Sequence, residues 1–532
     1  MYSETLWNAW VQQEARNYEE RKDGKKVYHK KGYIHFDPRI WFPDKHQEIK
    51  DIIRCGLLVP NPQNPQYQQY YSFFPFLKII TKTPRYRYQF EEGHYDLETK
   101  KRPICFAAHR DSLIFGYYSY ALTRVYEAYI KDHRFDDTVL AYRSDLGKCN
   151  IQFAKEVFSE VKCRNECSAI ALDIKGYFDN IDHSILLDKW RKVIGGRLPE
   201  DQMRLYEILT KYSYIKPESL LKKYKGPKKR NEESLSTLMD IVPGIRLTDK
   251  FRCLKKDQLI VTNNKLNSNT NRLCGIPQGS PISALLSNIF LIDFDADLKQ
   301  KSISEGFVYR RYCDDILLIC ETEKAHNLMN FVIKKISEEY FLTIQPAKVD
   351  LIDFRKNSQG KIRGFMRPRK IIKKFGEKNK ETIKESPAQT TSLNEMRFYK
   401  PLQYLGFEYN GKDILIRSSS LSRYYWKLNY RLQRTVIMSY GPKSDGSQIY
   451  LNQIYERYTH LGKRNFLSYA YNAAKDFYQN ATDKQMEGMD SPAIKRQLRN
   501  HWRIMQSELK RKNIKWHSHK SKGKKNVVLH SI

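Results

Sequence analysis

Between Ser168 and Ile344 the apolar residues change period in a fixed order: strand, helix, hairpin, helix, strand. Ser168 to Leu172 is a short apolar run that ends at Asp173, after which Ile185, Leu186, Lys189, Trp190 and Val193 recur at helical spacing. Ser280 reads as an N-cap with Pro281 at the first helical position, and Ile282, Leu285, Leu286, Ile289 and Phe290 form the buried stripe. Phe307 to Tyr312 and Ile316 to Cys320 read as a hairpin with Asp314 and Asp315 at its turn. Ala325, Leu328, Met329, Val332, Ile333 and Ile336 give one more helix face, and Phe341 to Ile344 a last strand. This order predicts a split βαβ palm of α/β (α+β) class, in which helices cover one face of a sheet and leave the other open to a substrate.

Charge says what kind of substrate. The chain of 532 residues carries 94 Lys+Arg against 60 Asp+Glu, a net charge of +34. With 40% apolar and 13% aromatic residues it cannot be a disordered polycation. A one-sign excess on a folded chain points to a polyanionic partner, because binding phosphates releases their counterions. No run approaches the ~20 apolar residues that cross a bilayer, and Glu4, Gln12, Gln13 and Glu14 stand where a secretory signal needs an apolar core. The expectation is a cytoplasmic protein with no membrane partner. Nine dispersed cysteines without a CxxC fit reduced thiols, and Cys163 and Cys167 lack the second pair a zinc site needs.

Three regions are expected: an aromatic and basic N-terminal extension (1–95), a central block (96–410) with polar insertions at 216–272 and 355–397, and a largely helical region (411–532) with a Lys-rich tail from Lys510 to Asn526.

The carboxylates Asp173, Asp314 and Asp315 fall at strand ends that can lie side by side. Such a cluster is costly unless cations offset it, and oxygen donors alone suit a hard ion such as Mg²⁺, with Mn²⁺ as a substitute. Two ions about 3.5–4 Å apart can activate a 3′-hydroxyl and stabilise a leaving pyrophosphate. A lone Asp-Asp pair is more often a turn, so the weight rests on what surrounds it.

What surrounds it resembles the reverse transcriptases. Asp173-Ile-Lys-Gly-Tyr-Phe-Asp-Asn-Ile-Asp182 resembles their first catalytic motif, Gly275-Ile-Pro-Gln-Gly-Ser-Pro281 their nucleotide-binding motif, and Tyr312-Cys-Asp-Asp315 their second catalytic motif. Tyr404-Leu-Gly-Phe407 resembles the turn under the primer end, and Arg102-Pro-Ile with Arg110-Asp111 a fingers segment. The resemblance implies a right-hand polymerase with fingers, a ferredoxin-like palm and a helical thumb. It implies that Asp173, Asp314, Asp315 and the carbonyl of Ile174 hold two metal ions, and that Phe178 bars a ribose 2′-hydroxyl. It also implies that Gln278 and Gly279 lie against the incoming dNTP, that Arg102 clamps the triphosphate, and that Lys348 protonates pyrophosphate. Tyr404, Gly406, Tyr424, Tyr425, Lys427 and Arg431 would meet nucleic acid. Cys313 reads as a packing residue rather than a nucleophile.

The flanks separate the biological roles. No Cys/His module follows Gly411, which disfavours a group II intron enzyme. Val139-Leu-Ala-Tyr-Arg143 with Gly147-Lys-Cys-Asn-Ile-Gln-Phe-Ala154, Ile416 to Tyr425 and Thr459 to Phe466 resemble bacterial abortive-infection and defence-associated reverse transcriptases. That likeness implies antiphage defence, cDNA made on a small non-coding RNA or without a template, and a protein Tyr as primer; a homo-oligomer or a second defence protein is a further expected partner. The alternatives are a retron or group II intron-like enzyme, an RNA-dependent RNA polymerase, a non-catalytic RNA-binding scaffold, and an RNA-cleaving toxin using Arg496 and His501.

Overall fold

The computed structural model describes residues 2–21, 23–30, 32–33, 35, 37, 39–56, 71–89, 94–224, 254–367, 398–441, 448–480 and 483–521. The chain opens with α1 (Glu4–Ala15), β1 (Tyr18–Glu20), β2 (Lys26–Tyr28), α2 (Phe42–Asp51), β3 (Phe76–Gln89), β4 (His94–Phe106) and α3 (His109–Asp132). Next come α4 (Asn150–Arg164), β5 (Cys167–Asp173), α5 (His183–Ile194), α6 (Glu200–Thr210), β6 (Ser213–Ile215), α7 (Pro217–Tyr224) and β7 (Val261–Thr262). α8 (Ser283–Phe290), α9 (Ile292–Glu305), β8 (Val308–Tyr312), β9 (Asp315–Cys320), α10 (Ala325–Glu339), β10 (Asp350–Lys356) and β11 (Ile362–Met366) continue the series. It closes with β12 (Leu402–Tyr404), β13 (Phe407–Tyr409), β14 (Ile414–Ile416), α11 (Ser418–Ser439), α12 (Asn452–Tyr458), α13 (Phe466–Ala474), β15 (Phe477–Gln479), β16 (Gln485–Glu487), α14 (Pro492–Leu498) and α15 (His501–Ser521). The largest sheet runs β11-β10-β5-β9-β8. Two compact units are formed, one from 1–142, 172–316 and 329–347, the other from 143–171, 317–328 and 348–532.

In the first unit the N-terminal aromatics are core. Trp10 packs its ring 5.2 Å from Phe42 and 5.6 Å from Tyr117, which fastens α1 and α2 to α3. The long hairpin of β3 and β4 runs across residue 95, the expected boundary, and its sheet is ordered β4-β3-β6-β7. α3 starts on Asp37, whose carboxylate accepts the backbone N–H of His109 at 2.6 Å and faces the His109 ring at 2.8 Å. Asp111, in the first turn of α3, accepts the Tyr71 hydroxyl at 2.6 Å and the Phe74 N–H at 2.8 Å.

Burial pushes the Asp111 carboxyl up to about 7, against the pull of those two hydrogen bonds. The folded chain therefore keeps a proton that the unfolded chain releases from about pH 4, so this group stabilises most below that pH and loses its contribution as pH rises through 7. Asp111→Asn is expected to flatten the fall of the melting temperature between about pH 4 and 7, as thermal melts across that range would read.

Two expectations are corrected here. Residues 341–344 are not a strand: Phe341 has φ +54°, and only Ile344 pairs, in a single antiparallel bridge with Ile174. The strand paired antiparallel to β5 is β10, in register from Asp350 opposite Ala171 to Phe354 opposite Cys167. The helix expected from Ser280 begins instead at Ser283, whose hydroxyl bonds back to the Pro277 carbonyl at 2.8 Å. α9, which no sequence signal marked, then carries the chain to β8.

In the second unit β10 and β11 form a hairpin through 366, so the segment read as an insertion from 355 begins as sheet; 368–397 lie outside the described residues, as do 225–253 of the other insertion. β12, β13 and β14 make a small antiparallel sheet. Tyr424, Leu428, Leu432 and Val436 put a buried stripe along α11, which packs with α15. Among the described residues no helix is long and apolar enough to cross a membrane.

Candidate active site

Asp173 is the last residue of β5, a strand buried almost throughout, and it is half-buried itself. Cys313 and Asp314 form the two-residue turn between β8 and β9, with Cys313 at φ +58°. The two strand ends are joined directly, since the Ile174 N–H donates to the Asp314 carbonyl at 3.0 Å. On its other side this strand end is held by Lys175 N–H to the Thr343 carbonyl and Gln345 N–H to the Asp173 carbonyl, both 2.8 Å. Neither bond uses the Ile174 carbonyl. Asp314 is half-buried and Asp315, first in β9, is exposed.

The donor chemistry suits a hard cation. Burial pushes the Cys313 thiol up to about 12, so it offers no thiolate beside the carboxylates and is no nucleophile. Among the described residues no three His, Cys, Asp or Glu side chains form a ready-made cage. An ion here would rest on the strand-end carboxylates, a backbone carbonyl and substrate phosphates, which is how Mg²⁺ is commonly held.

The turn between β8 and β9 is shaped from behind. Arg311 and Asp295 are both fully buried and paired through two bonds, Nε to Oδ1 at 2.7 Å and a terminal nitrogen to Oδ2 at 2.5 Å. The remaining guanidinium nitrogen donates to the Cys313 carbonyl at 3.1 Å. The 138–142 segment lies along β8, with Leu140 N–H on the Arg311 carbonyl at 2.9 Å and the Tyr142 hydroxyl on Cys313 Sγ at 3.4 Å. Sequence reasoning missed Arg311, although alternation along β8 puts it on the buried face with Tyr309, and a buried Arg requires an acid.

Gln278 and Gly279 dock on β4. The Cys105 N–H donates to the Gln278 carbonyl at 2.7 Å. A Cβ on Gly279, at φ +115°, would stand 2.8 Å from Ile104 Cγ2 and 2.9 Å from the Cys105 carbonyl oxygen. Arg102 is exposed opposite Thr81 and shares a strand face with Ile104, two residues on. Phe178 is half-buried in the loop after Asp173, its carbonyl accepting the Ile276 N–H at 2.9 Å. Asp173, Ile174, Phe178, Arg102, Gln278, Gly279, Asp314 and Asp315 thus all belong to the first unit. Gly279→Ala combines a left-handed backbone with two close contacts, and is expected to lower nucleotide incorporation about 10- to 100-fold in single-nucleotide extension assays.

The other expected residues belong to the second unit. Lys348 closes the short turn Pro346–Lys348 and is half-buried. Tyr404 is buried at the end of β12, and Leu405 and Gly406, both at positive φ, turn the chain into β13. Tyr424 is corrected to a core residue: its ring stacks on Phe466 at 4.8 Å and its hydroxyl donates to the Tyr458 carbonyl at 2.7 Å. Tyr425 and Arg431 are half-buried and Lys427 exposed. The aromatics at the surface of α11 are Trp426 and Tyr430, stacked at 5.7 Å with Arg434 over Tyr430. His501 is buried, with its ring 3.2 Å from His460, while Arg496 reaches Asp413 at 3.5 Å.

Residues 238–409 match the family model described as reverse transcriptase (RNA-dependent DNA polymerase). The chain therefore carries a reverse transcriptase domain on an α/β polymerase fold, and Asp173 stands upstream of the matched segment. No curated protein matches the chain. Among solved structures it is similar to apo telomerase from Candida tropicalis truncated from the C-terminal domain, at 9% identity and TM-score 0.35 over 64% of this chain and 57% of that one. It is also similar to telomerase from Candida albicans in complex with a fragment of telomeric RNA, at 11% identity and TM-score 0.32 over 91% of this chain and 68% of that one. Likenesses this distant carry no argument about function.

Proposed function

We propose that this protein is an RNA-directed DNA polymerase that copies an accompanying small RNA into cDNA from dNTPs, and that it serves bacterial antiphage defence. The observation that carries the polymerase reading is the junction of Asp173 and Asp314 through the Ile174 N–H, in a chain with a reverse transcriptase domain. Two Mg²⁺ ions, when bound, supply charge neutralisation and a lowered pKa for the attacking hydroxyl. Asp173, Asp314 and the Ile174 carbonyl would hold them, with Asp315 adding a carboxylate at the solvent side. Arg102 would grip the triphosphate with its guanidinium fork. Gly279, which docks on Ile104 and Cys105 because it has no side chain, would hold the turn with its backbone along the nucleotide, and Phe178 excludes the 2′-hydroxyl. The defence role is supported by the Val139 to Arg143 segment, which resembles defence-associated enzymes and contributes Tyr142 to the catalytic turn.

Purifying the protein with its accompanying RNA and supplying dNTPs tests the reading. Product complementary to that RNA, and lost when the RNA is first digested, is expected; product indifferent to the RNA would contradict it. For the defence role, a bacterial host carrying the protein should show fewer phage plaques than one carrying Asp314→Ala with Asp315→Ala.

A further inference from the structure

The loop from Ile174 to Asp182 carries Phe178; buried Tyr177 anchors it through its hydroxyl on the Ser287 carbonyl, and Gly275 N–H holds the Ile181 carbonyl at 2.8 Å. Gly176 turns at φ +58°, and the Asn180 side chain closes the loop by donating from Nδ2 to the carbonyls of Lys175 and Gly176, each at 3.0 Å. The remaining atom of that amide, Oδ1, accepts Lys265 Nζ at 2.8 Å. The same ammonium donates to the carbonyl of Asp179, the residue after Phe178, also at 2.8 Å. Ile276 N–H holds the Phe178 carbonyl at 2.9 Å. Two successive carbonyls, those of Phe178 and Asp179, are thus tied down, one by a backbone group and one by a lysine.

Lys265 lies just after β7. Its own carbonyl accepts the Cys274 N–H at 2.9 Å, Leu266 pairs with Leu273, and Asn267 N–H reaches the Arg272 carbonyl at 2.8 Å. These bonds make a short antiparallel arm. Its far end is fixed where Asn267 Nδ2 donates to the Phe341 carbonyl at 3.0 Å, and Asn263 Nδ2 donates to the Cys274 carbonyl at 3.2 Å near its base. The arm is anchored without Lys265, whose side chain is exposed, so the ammonium can be removed without opening the core.

We infer that Lys265, acting with Asn180, is a positioning residue for sugar selection: the short arm after β7 sets where the Phe178 ring stands against the incoming nucleotide. This rests on the polymerase reading above. Exclusion of a 2′-hydroxyl is a steric contact and changes steeply with the position of the ring, whereas the bonds that hold the strand ends, Ile174 N–H on the Asp314 carbonyl and Gln345 N–H on the Asp173 carbonyl, do not use Lys265. Loss of the ammonium therefore relaxes the choice between dNTP and NTP more than it slows synthesis.

The test compares dNTP with NTP incorporation by the full-length protein carrying Lys265→Met, Lys265→Arg, Asn180→Asp or Phe178→Val, with thermal melts on each. Lys265→Met is expected to lower the dNTP-over-NTP preference about tenfold, through a smaller KM for NTP, with kcat for dNTP held within about threefold. Lys265→Arg, which keeps donors at the same place, should restore most of the preference, and Asn180→Asp should lower it. If Phe178→Val relaxes the preference while Lys265→Met and Asn180→Asp leave it intact, the inference is overturned and the gate stands. If Phe178→Val leaves the preference intact, no gate exists and both fall. Wild-type protein that makes no polymer from dNTPs overturns the polymerase reading itself.

Discussion

Replacing Asp295 by alanine is expected to cost about 3–5 kcal/mol of stability, because it strands the Arg311 guanidinium as an unpaired charge in a fully buried site. Burial works to lower the Arg311 pKa and the two-bond contact with Asp295 works to raise it; with Asp295 gone only burial remains, yet a guanidinium is too basic to give up its proton and would sit charged without a counter-ion. Tyr309, which donates to Asp295 at 2.6 Å, would lose its acceptor as well. A fall in the thermal midpoint reads this directly. The informative companion is Asp295→Leu with Arg311→Met, which removes both charges together and should be more stable than Asp295→Ala alone. Stability and activity should then part: the double variant has no donor for the Cys313 carbonyl, and a catalytic turn shifted by a fraction of an ångström is expected to slow incorporation about 10- to 100-fold. A double variant with wild-type rates would show that the buried pair only holds the fold.

Asp173→Asn or Asp314→Asn is expected to lower nucleotide incorporation about a thousandfold or more, since several kcal/mol of metal-borne charge stabilisation would be lost from the reacting phosphate. Neither should lower the melting temperature. Both side chains are half-buried and near-isosteric with asparagine, so the substitution opens no cavity. Asp315→Asn should cost less, because that carboxylate opens β9 on the exposed side of the turn. Metal titrations separate these roles: raising Mg²⁺ or substituting Mn²⁺ should recover part of the Asp315→Asn loss and little of the other two.

Much of the palm was legible because its signals are local. β5, the β8–β9 hairpin, α5 and α10 follow from apolar period alone, and each places an acidic residue or a covering face where the sequence implied. What stayed hidden depends on distant partners. Phe341 to Ile344 has strand-like composition, yet one left-handed residue and a single bridge keep it out of the sheet, and β10 takes the place instead. α9 went unread because Asp293, Asp295 and Asp297 make it look polar, when Asp295 is in fact the buried counter-ion of Arg311. Tyr424 was misread for the opposite reason: cations interleave the aromatics of α11, but the helical period turns Tyr424 inward and Trp426 and Tyr430 outward. Lys265 lies in a polar stretch whose composition says only that it is outside the core. Nothing in its spacing points to the Asp179 carbonyl.

The most direct test of the polymerase account supplies labelled dNTPs or NTPs, with Mg²⁺, to the protein purified with its accompanying RNA, and compares wild type with Asp314→Ala plus Asp315→Ala. Polymer built from dNTPs by the wild type and absent from the double variant is the predicted result; polymer built only from NTPs, or made equally by both proteins, would contradict it.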